Sequence, residues 1–275
     1  MSDPAPPAIV FTDLDGTLLD ASTYDPGPAR ATLRTLAGRG IPVVPVTSKT
    51  WEETRTWMRR LALSGPAVLE NGGVVMLPSG PRRRPTFEVL GTDYVALRDA
   101  LAALAPATAS RLVGFGDWDT AEIAERTGLA PEEAARARVR LADEPFVAEP
   151  ELDAHGERQL TAAAAARGLL VERGGRFLHL HGRADKGTGV RRVTAWYALR
   201  AGAPPTRIGV GDAGNDRPML EAVDVPIALP GLDGTVDRAL AAVPGVRVAT
   251  EPGPRGFAAT IAAWLEAAGR PEEVA

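Results

Sequence analysis

Short apolar runs alternate with helical stretches over the first 70 residues. Apolar segments at 8–11, 41–46 and 66–69 are typical of buried strands, and helices are predicted at 26–39 and 51–63 between them. The alternation resumes further along, with helices at 187–200, 217–222 and 256–268 and strands at 207–210, 224–229 and 246–249. Consecutive parallel strands need a crossover helix between them. The sequence therefore predicts an α/β protein with a doubly wound parallel sheet of the Rossmann type.

A different pattern separates the two alternating segments. Helices are predicted at 93–104, 119–127, 131–140 and 153–167, a strand and turn at 111–117, a hairpin or linker over 74–90 and a hairpin over 169–181. Residues 144–148 are predicted to form an edge strand. The second hairpin turns at Gly174-Gly175. We predict a core domain of residues 1–79 and 183–275, an inserted α+β domain of residues 80–182, and loosely ordered ends at 1–7 and 269–275.

Two acids follow the first predicted strand directly. Asp13 and Asp15 are two residues apart, so an extended chain points them the same way, and Gly16 then allows a turn. Two carboxylates so close repel each other, and a hard cation with a phosphate would relieve that repulsion. A bare Asp-x-Asp is more often a solvated turn. The wider context Asp-Leu-Asp-Gly-Thr-Leu is more specific, and the rest of the chain has to support it.

Polar residues also follow the other predicted strands. Thr47 ends the second strand, Asn71 follows the third, and Asp212 follows the strand at 207–210. In open α/β sheets, ligands bind at the carboxyl ends of the strands. These residues are therefore candidates for one site near Asp13.

The composition limits the classes of function. The 275 residues carry a net charge of −4, so nothing favours nucleic acid as a partner. Cysteine is absent, which excludes disulfides, zinc thiolates and cysteine nucleophiles. Residues 1–7 lack the features of a signal peptide, and no apolar run approaches the roughly 20 residues that span a bilayer. We expect a cytoplasmic protein without membrane contact, either a monomer or a homodimer.

Lysine is scarce although basic residues are common. Of the 31 basic residues only Lys49 and Lys186 are lysine, and the others are arginine. The two side chains are not interchangeable where a compact ammonium is needed. Their placement next to Thr47 and after the insert makes both lysines candidate site residues.

Four separated motifs together resemble the haloacid dehalogenase-like phosphohydrolases. They are Asp13-x-Asp15, Thr47, Lys186 and Gly211-Asp212-x-x-Asn215-Asp216, in this order. The insert between the second and third motifs resembles the type II cap of the α/β subclass. The resemblance covers nearly the whole chain and implies a Mg²⁺-dependent phosphatase.

The resemblance also implies roles for the motif residues. Asp13 would attack phosphorus to form an aspartyl-phosphate, and Asp15 would act as acid and then as base. Thr47 and Lys186 would hold the phosphoryl group. The implied magnesium ligands are drawn from both acidic motifs: Asp13, Asp15, Asp212, Asn215 and Asp216.

Short motifs outside these four are similar to the mannosyl-3-phosphoglycerate phosphatases. They are Thr47–Thr50, Glu70–Gly73, Gly114–Asp117, Asp143–Phe146 and Gly174–Phe177. The substrate of that family carries a phosphate, a carboxylate and a sugar, and its product is mannosylglycerate, a compatible solute. The resemblance implies substrate-binding roles for residues in these motifs or beside them: Ser48, Lys49, Asn71, Gly72, Gly73, Asp117, Glu144, Arg176 and His179.

Other functions remain open on the sequence. A glucosyl-3-phosphoglycerate phosphatase, a broad sugar-phosphate phosphatase and a phosphomannomutase-like enzyme would all use the same aspartyl-phosphate. A phosphate-sensing or partner-binding protein without activity would not need catalytic residues such as Asp15 and Lys186, yet both are present. The preferred hypothesis is a phosphatase of mannosyl-3-phosphoglycerate.

Overall fold

A computed structural model describes residues 8–80, 83–174 and 176–268. The predicted loose ends, 1–7 and 269–275, lie outside the described residues. Within the described part, the chain divides into two compact units, one of residues 8–47, 58–67 and 186–268 and one of residues 48–57 and 68–185. These limits differ from the predicted domains, 1–79 with 183–275 and 80–182, and the domain division stays a prediction.

The helices and strands follow in this order: β1 Ala8–Thr12, α1 Ala29–Gly38, β2 Val43–Pro45, α2 Trp51–Arg60, β3 Ala67–Leu69, β4 Val74–Leu77, β5 Thr86–Val89, α3 Tyr94–Leu104, β6 Arg111–Gly114, α4 Thr120–Thr127, α5 Pro131–Ala137, β7 Asp143–Glu149, α6 Ala154–Ala165, β8 Leu170–Arg173, β9 Leu178–His181, α7 Lys186–Ala201, β10 Thr206–Gly211, α8 Arg217–Glu221, β11 Val225–Ala228, α9 Arg238–Ala241, β12 Arg247–Val248 and α10 Gly253–Ala268.

The first unit contains a five-stranded sheet in the order β12-β11-β10-β1-β2. All of its strand pairs are parallel. Apolar side chains of β1, such as Ile9 and Phe11, are fully buried, which is typical of a central parallel strand. Helices α1 and α10 pack together, as do α7 and α8. The predicted doubly wound parallel sheet is confirmed.

The third predicted strand does not belong to the parallel sheet. β3 lies in a separate three-stranded sheet, next to β4, in the order β3-β4-β5. Asn71 and Gly72 adopt left-handed backbone conformations, with φ values of 55° and 94°, directly after β3. This turn returns the chain so that β4 runs beside β3. The expectation that Asn71 ends a strand of the parallel sheet is therefore wrong.

The second unit also contains a four-stranded antiparallel sheet in the order β6-β7-β9-β8. The predicted edge position of residues 144–148 is wrong, because β7 lies inside this sheet. β7 pairs with β9 over Asp143–Phe146 and with β6 over Phe146–Glu149, so only Phe146 pairs on both sides. Pro145 lies one residue beyond the end of the β6 ladder, where its carbonyl still accepts from the Phe115 N–H at 2.9 Å, so its missing N–H falls outside the regular pairing with β6.

The face of this sheet that carries Phe146 and Leu180 is covered by helices α3 and α6. Leu97, Leu101 and Leu160 pack there with strand residues in one apolar core. The predicted hairpin of β8 and β9 is present, and the Gly174 N–H donates to the Phe177 carbonyl at 2.9 Å. Gly175 of the predicted turn lies outside the described residues. In the described ranges, none of the helices is both long enough and apolar enough to cross a lipid bilayer.

Candidate active site

The carboxyl ends of two neighbouring strands bring Asp13 and Asp212 together. Asp13 follows β1 and Asp212 follows β10, and these strands pair in parallel. The Asp13 N–H donates to the Val210 carbonyl at 3.0 Å, which extends the pairing one residue past β1. Thr17 Oγ1 donates to Asp212 Oδ1 at 2.6 Å and orients that carboxylate. The first acidic motif and the last are therefore adjacent.

Lys186 begins helix α7 and is buried, with 1% of its surface exposed. Its Nζ lies 2.7 Å from Asp13 Oδ1 and 2.5 Å from Asp216 Oδ1. Burial alone would lower the pKa of Lys186, but the carboxylates of Asp13 and Asp216 raise it well above its usual range. Lys186 is therefore a permanent positive charge against Asp13.

One ammonium does not balance the carboxylates around it. Burial raises the pKa of Asp13 well above its usual value, and Asp216, Asp212 and Asp15 raise it further against the effect of Lys186. Burial and the charge of Asp216 raise the pKa of Asp212 to about 6. Like charges held this close favour the binding of another positive charge.

The donor set fits a hard divalent cation. Carboxylate oxygens of Asp13, Asp212 and Asp216 lie within 4.8 Å of one another. Asp216 is already engaged, since its Oδ1 accepts from Lys186 and its Oδ2 accepts from the N–H groups of Asp212 and Ala213 at 3.0 and 3.1 Å. Asp13 and Asp212 are therefore the better candidates for direct ligands, and Asp216 fixes the loop that carries Asp212.

Gly16 makes the close approach to Asp212 possible. Its φ is +78°, and a Cβ built there would lie 2.4 Å from Asp212 Oδ2. Any other residue would combine a strained backbone with a clash against the carboxylate. Gly16 thus allows both the turn after Asp15 and the close approach of the loop that carries Asp212.

The remaining core candidates lie at strand ends or on the same loops. Thr47 follows β2 and is buried, and the Val46 N–H donates to the Thr12 carbonyl at 2.8 Å, which aligns the ends of β2 and β1. Asp15 is half-buried two residues after Asp13. Asn215 lies in a short 3₁₀ turn, Gly214–Asp216, after β10. The specific roles predicted for these three residues stay predictions.

Two loops of the second unit carry the predicted residues Ser48, Lys49 and Asn71–Gly73. The Glu70 N–H donates to the Lys49 carbonyl at 3.1 Å, which ties the two loops together. The Glu70 carboxylate accepts from the N–H groups of Leu141 and Ala142, with the shortest contact at 2.7 Å. Asn71, Gly72 and Gly73 are all buried. The loops that carry these candidates therefore form one hydrogen-bonded cluster with the chain at 140–142.

The predicted residues of the cap sheet lie on two different faces. Asp143 pairs with His181 and Pro145 pairs with His179, so these four residues share one face. Glu144 pairs with Leu180 and lies on the other face, against α3. Glu144 and His179 therefore do not meet.

Glu144 and Asp117 share Arg98 of α3. Arg98 Nη1 donates to Glu144 Oε1 at 2.7 Å and to Asp117 Oδ2 at 3.1 Å, and its Nη2 donates to Asp117 Oδ1. Glu144 is fully buried. Substrate binding by these two acids stays a prediction, and both also anchor α3 to the sheet.

His179 and Arg176 have protein partners in the second unit. His179 Nδ1 lies 3.0 Å from Asp143 Oδ2, and the imidazole is half-buried. Arg176 is exposed and its Nη1 donates to the Thr127 carbonyl, at 2.7 Å, near the end of α4. Their roles toward a substrate stay predictions.

Sequence reasoning missed the half-buried Arg98 and three buried charged residues, Glu70, Arg140 and Asp143. Arg140 and Asp143 are 8% and 0% exposed, and they form an ion pair of 2.5 Å between Nη2 and Oδ2. Their spacing of three residues was the only local signal of this pair. The partners of Glu70 lie about 70 residues away, so no short motif reveals them.

The fold is shared with known proteins. The family model of the haloacid dehalogenase-like hydrolases matches residues 10–84. A solved structure of a subclass IIB sugar phosphatase from the same superfamily superposes with a TM-score of 0.67 at 14% identity, covering 94% of this chain and 98% of the other. The fold is that of haloacid dehalogenase-like hydrolases with a cap domain.

Two curated relatives are more similar in sequence. The glucosyl-3-phosphoglycerate/mannosyl-3-phosphoglycerate phosphatase of Persephonella marina is 35% identical over 259 residues, which cover 90% of this chain and 94% of the relative. The protein with the same description from Methanococcoides burtonii is 35% identical, with coverage of 83% and 87%. The chain therefore belongs to the haloacid dehalogenase-like hydrolases, as a phosphatase of the group that includes these two relatives.

Proposed function

We propose that this phosphatase removes the phosphate from sugar-3-phosphoglycerates, mannosyl-3-phosphoglycerate and its glucosyl epimer. The observation that carries the proposal is 35% identity across 90% of the chain to a relative described as acting on both compounds. The proposal is also supported by the site, since a buried ammonium and a cluster of carboxylates stand together at the strand ends. The products would be the sugar glycerate and inorganic phosphate.

Asp13 is the proposed nucleophile. Its carboxylate oxygen attacks phosphorus while the bond from phosphorus to the glycerate oxygen breaks, which leaves an aspartyl-phosphate and a leaving alkoxide. Asp15 gives its proton to that alkoxide. Asp15 then takes a proton from water as the water attacks phosphorus, so Asp13 is released and inorganic phosphate leaves.

Lys186 and Thr47 stabilise the phosphoryl group in this scheme. The Lys186 ammonium, 2.7 Å from Asp13 Oδ1, favours the ionised and therefore nucleophilic form of the carboxylate. The same charge stabilises the negative phosphoryl oxygens, and the Thr47 hydroxyl donates to one of them. Fixed charges of this kind supply most of the catalysis of phosphoryl transfer.

Mg²⁺ is the proposed cofactor, because the donors are carboxylate oxygens and a hard cation prefers them. Asp13 and Asp212 would hold it directly, with the Asp15 carbonyl and Asn215 in support and Asp216 orienting the Asp212 loop. When bound, the ion neutralises charge on the transferred phosphoryl group. The elevated pKa values of Asp13 and Asp212 are consistent with a cluster that needs this extra charge.

Residues of the second unit are proposed to recognise the rest of the substrate. Lys49 pairs with the glycerate carboxylate, and Asn71 with the Gly72 amide binds hydroxyl or carboxylate oxygens. The predicted role of the Gly73 amide competes with the bond that its N–H donates to the Glu70 carbonyl at 3.0 Å. Ser48 precedes Lys49 on the same loop and is proposed to contribute there. His179 or Arg176 meets the carboxylate. The alternative role of Asp117 and Glu144, accepting bonds from sugar hydroxyls, would need the sugar on the face of the cap sheet opposite His179. We also propose a cytoplasmic location and a monomer or homodimer.

Phosphate release from a matched set of substrates tests the proposal. The set contains both sugar-3-phosphoglycerates, mannose 6-phosphate and glucose 6-phosphate, each assayed at a series of concentrations with Mg²⁺. We expect kcat/KM for at least one sugar-3-phosphoglycerate to exceed that for either hexose phosphate by about 100-fold, because its carboxylate, which the hexose phosphates lack, adds charge-assisted bonds. Equal values would contradict the proposed substrate and favour a broad sugar phosphatase. Isomerisation without free phosphate would indicate a mutase.

A further inference from the structure

Asp143 is a buried carboxylate for which the proposed reaction has no role. It begins β7, and none of its surface is exposed. Arg140 donates to it twice, from Nη2 to Oδ2 at 2.5 Å and from Nε to the backbone carbonyl at 2.7 Å. His179 Nδ1 contacts both carboxylate oxygens, at 3.0 and 3.2 Å. Asp143 therefore links a buried guanidinium to a half-buried imidazole.

The charge around Asp143 keeps it ionised. Burial alone would raise the pKa of Asp143, but the charges of His179 and Arg140 lower that pKa far below its usual value. Four other titratable side chains of the described strands share this face of the sheet. His181 pairs with Asp143 and Glu172 pairs with His179, while Arg111 and Glu149 pair with each other further along β6 and β7. An ionised carboxylate can only accept, so His179 Nδ1 must be the donor of their hydrogen bond.

Arg140 holds Asp143 from a rigid position. Its Nη1 donates to the Ala137 carbonyl at 3.2 Å, at the end of α5, and its Nη2 donates to the Ser48 carbonyl at 3.2 Å. The guanidinium is thereby fixed by three chain segments. One of these, the Ser48 loop, also carries the candidate substrate residue Lys49.

Gly174 lies at the opposite edge of the imidazole. A Cβ built on Gly174 would lie 2.8 Å from His179 Nε2 and 2.9 Å from Cδ2, too close for any side chain. The φ of Gly174 is not in the left-handed region, so the requirement for glycine here is steric. The ring is thus held by Asp143 at Nδ1, and Gly174 leaves room for its Nε2 edge.

We propose that Asp143 is a positioning residue for substrate recognition, acting through His179 on the carboxylate of the sugar phosphoglycerate. Asp143 accepts the Nδ1–H and fixes the plane of the ring. This orientation presents the Nε2 edge of the ring to a carboxylate oxygen of the substrate, to which Nε2–H donates whenever both ring nitrogens carry protons. The inference rests on the proposed function, since it concerns the recognition of that substrate's carboxylate.

A double-mutant cycle tests this role. The proteins are the wild type, Asp143→Asn, His179→Gln and the double variant, assayed with the preferred sugar-3-phosphoglycerate and with p-nitrophenyl phosphate, which has no carboxylate. We expect each single variant to raise KM for the phosphoglycerate about tenfold while kcat changes less than about threefold. The double variant should resemble His179→Gln, because residues that act as one unit are not additive. The loss of kcat/KM should be smaller with p-nitrophenyl phosphate than with the phosphoglycerate, because only the phosphoglycerate has a carboxylate.

Gly174→Ala tests the position of the His179 ring by a second substitution. It leaves the Asp143–Arg140 ion pair intact but displaces the ring, so it should also raise KM for the phosphoglycerate selectively. A circular-dichroism melt of every variant identifies those that fold, and Gly174→Ala and His179→Gln replace Asp143→Asn if that variant unfolds.

The outcomes separate the two proposals. A wild type that does not prefer sugar phosphoglycerates overturns the proposed function, and the inference with it. If the wild type shows the preference but the folded variants keep its KM, only the inference is overturned. Additive effects in the double variant, or equal losses with p-nitrophenyl phosphate, would show that Asp143 does not act through His179.

Discussion

Lys186 Nζ lies 2.7 Å from Asp13 Oδ1, and 173 residues separate the two in the chain. The contact forms because helix α7 begins at Lys186 in the same unit in which Asp13 follows β1. Asp216 takes a second contact from the same ammonium, at 2.5 Å. The positive charge of Lys186 balances the negative charge of Asp13, the proposed nucleophile. Changing either residue should therefore alter both the catalytic rate and the stability of the protein.

Replacing Lys186 with Met should cost both activity and stability. The substitution keeps an unbranched side chain but leaves Asp13 and Asp216 buried without their cation, which typically costs about 3–5 kcal/mol. We expect turnover to fall at least about 1000-fold, since a phosphoryl-stabilising charge is lost. Phosphate release and urea unfolding measure the two effects. The matched control is Arg255→Met, because Arg255 is an exposed residue of α10. Equal effects of the two variants would contradict this account.

Gly16→Ala should damage the site more than a comparable glycine elsewhere. Gly16 and Gly245 both have left-handed backbones, with φ of +78° and +72°, but only the Cβ at position 16 meets an obstacle, Asp212 Oδ2 at 2.4 Å. Both variants should lose about 1 kcal/mol from backbone strain. Only Gly16→Ala should also weaken activation by Mg²⁺, by about tenfold or more. Mg²⁺ titrations of activity measure the difference, and identical activation curves would disprove the proposed role of the glycine.

Glu70 should make the protein less stable as pH rises. Burial raises the pKa of Glu70 from 4.5 to about 7, against the opposing effects of Arg140 and two backbone N–H groups. The folded protein therefore binds this proton more tightly than the unfolded chain does, so the stabilisation present below pH 4.5 is lost as pH rises toward 7. The loss is at most about 3 kcal/mol.

Urea unfolding of the metal-free protein between pH 4.5 and 7.5 measures the slope of the free energy of unfolding against pH. Glu70→Gln removes the titrating group at nearly constant shape and should flatten the part of the slope due to Glu70. Asp212, with its pKa raised to about 6, contributes a slope of the same sign that the variant retains. A Glu70→Gln protein with the full wild-type slope would show that Glu70 does not titrate in this range.

The sequence predicted the parallel sheet and the residues at its strand ends because both follow from local signals. Asp13, Thr47 and Asp212 each follow a short apolar run, and parallel topology brings such ends to one edge. β3 was misassigned because its apolar run does not reveal which sheet it joins. The placement depends on the left-handed turn at Asn71 and Gly72, whose effect on pairing is not local.

The buried charges of the second unit were beyond sequence reasoning for a different reason. Arg140 reads as one of many arginines in an arginine-rich chain, and its function depends on Ser48, 92 residues earlier. The two faces of the cap sheet depend on register, which alternation in short strands does not fix. For this reason Glu144 and His179 could be proposed together from their motifs, although the sheet separates them.

Removal of divalent metal should abolish activity reversibly. The cluster of Asp13, Asp212 and Asp216 carries more negative charge than Lys186 balances, and the phosphate of a substrate adds to it. We expect treatment with EDTA followed by gel filtration to reduce phosphate release at least about 100-fold, since metal ions supply several kcal/mol of charge stabilisation. Added Mg²⁺ should restore the activity. Undiminished turnover without metal would refute the metal-dependent scheme.

The most direct test of the account is the detection of phosphate on Asp13 during turnover. Wild-type protein is mixed with its preferred sugar-3-phosphoglycerate, quenched in acid within milliseconds and analysed by peptide mass spectrometry, with Asp13→Asn as the control. We predict a phosphorylated peptide in which Asp13 carries the group, no such peptide from Asp13→Asn, and loss of all measurable phosphate release in that variant. Turnover of the phosphoglycerate without phosphorylated Asp13, or with the phosphate on another residue, would contradict the central claim.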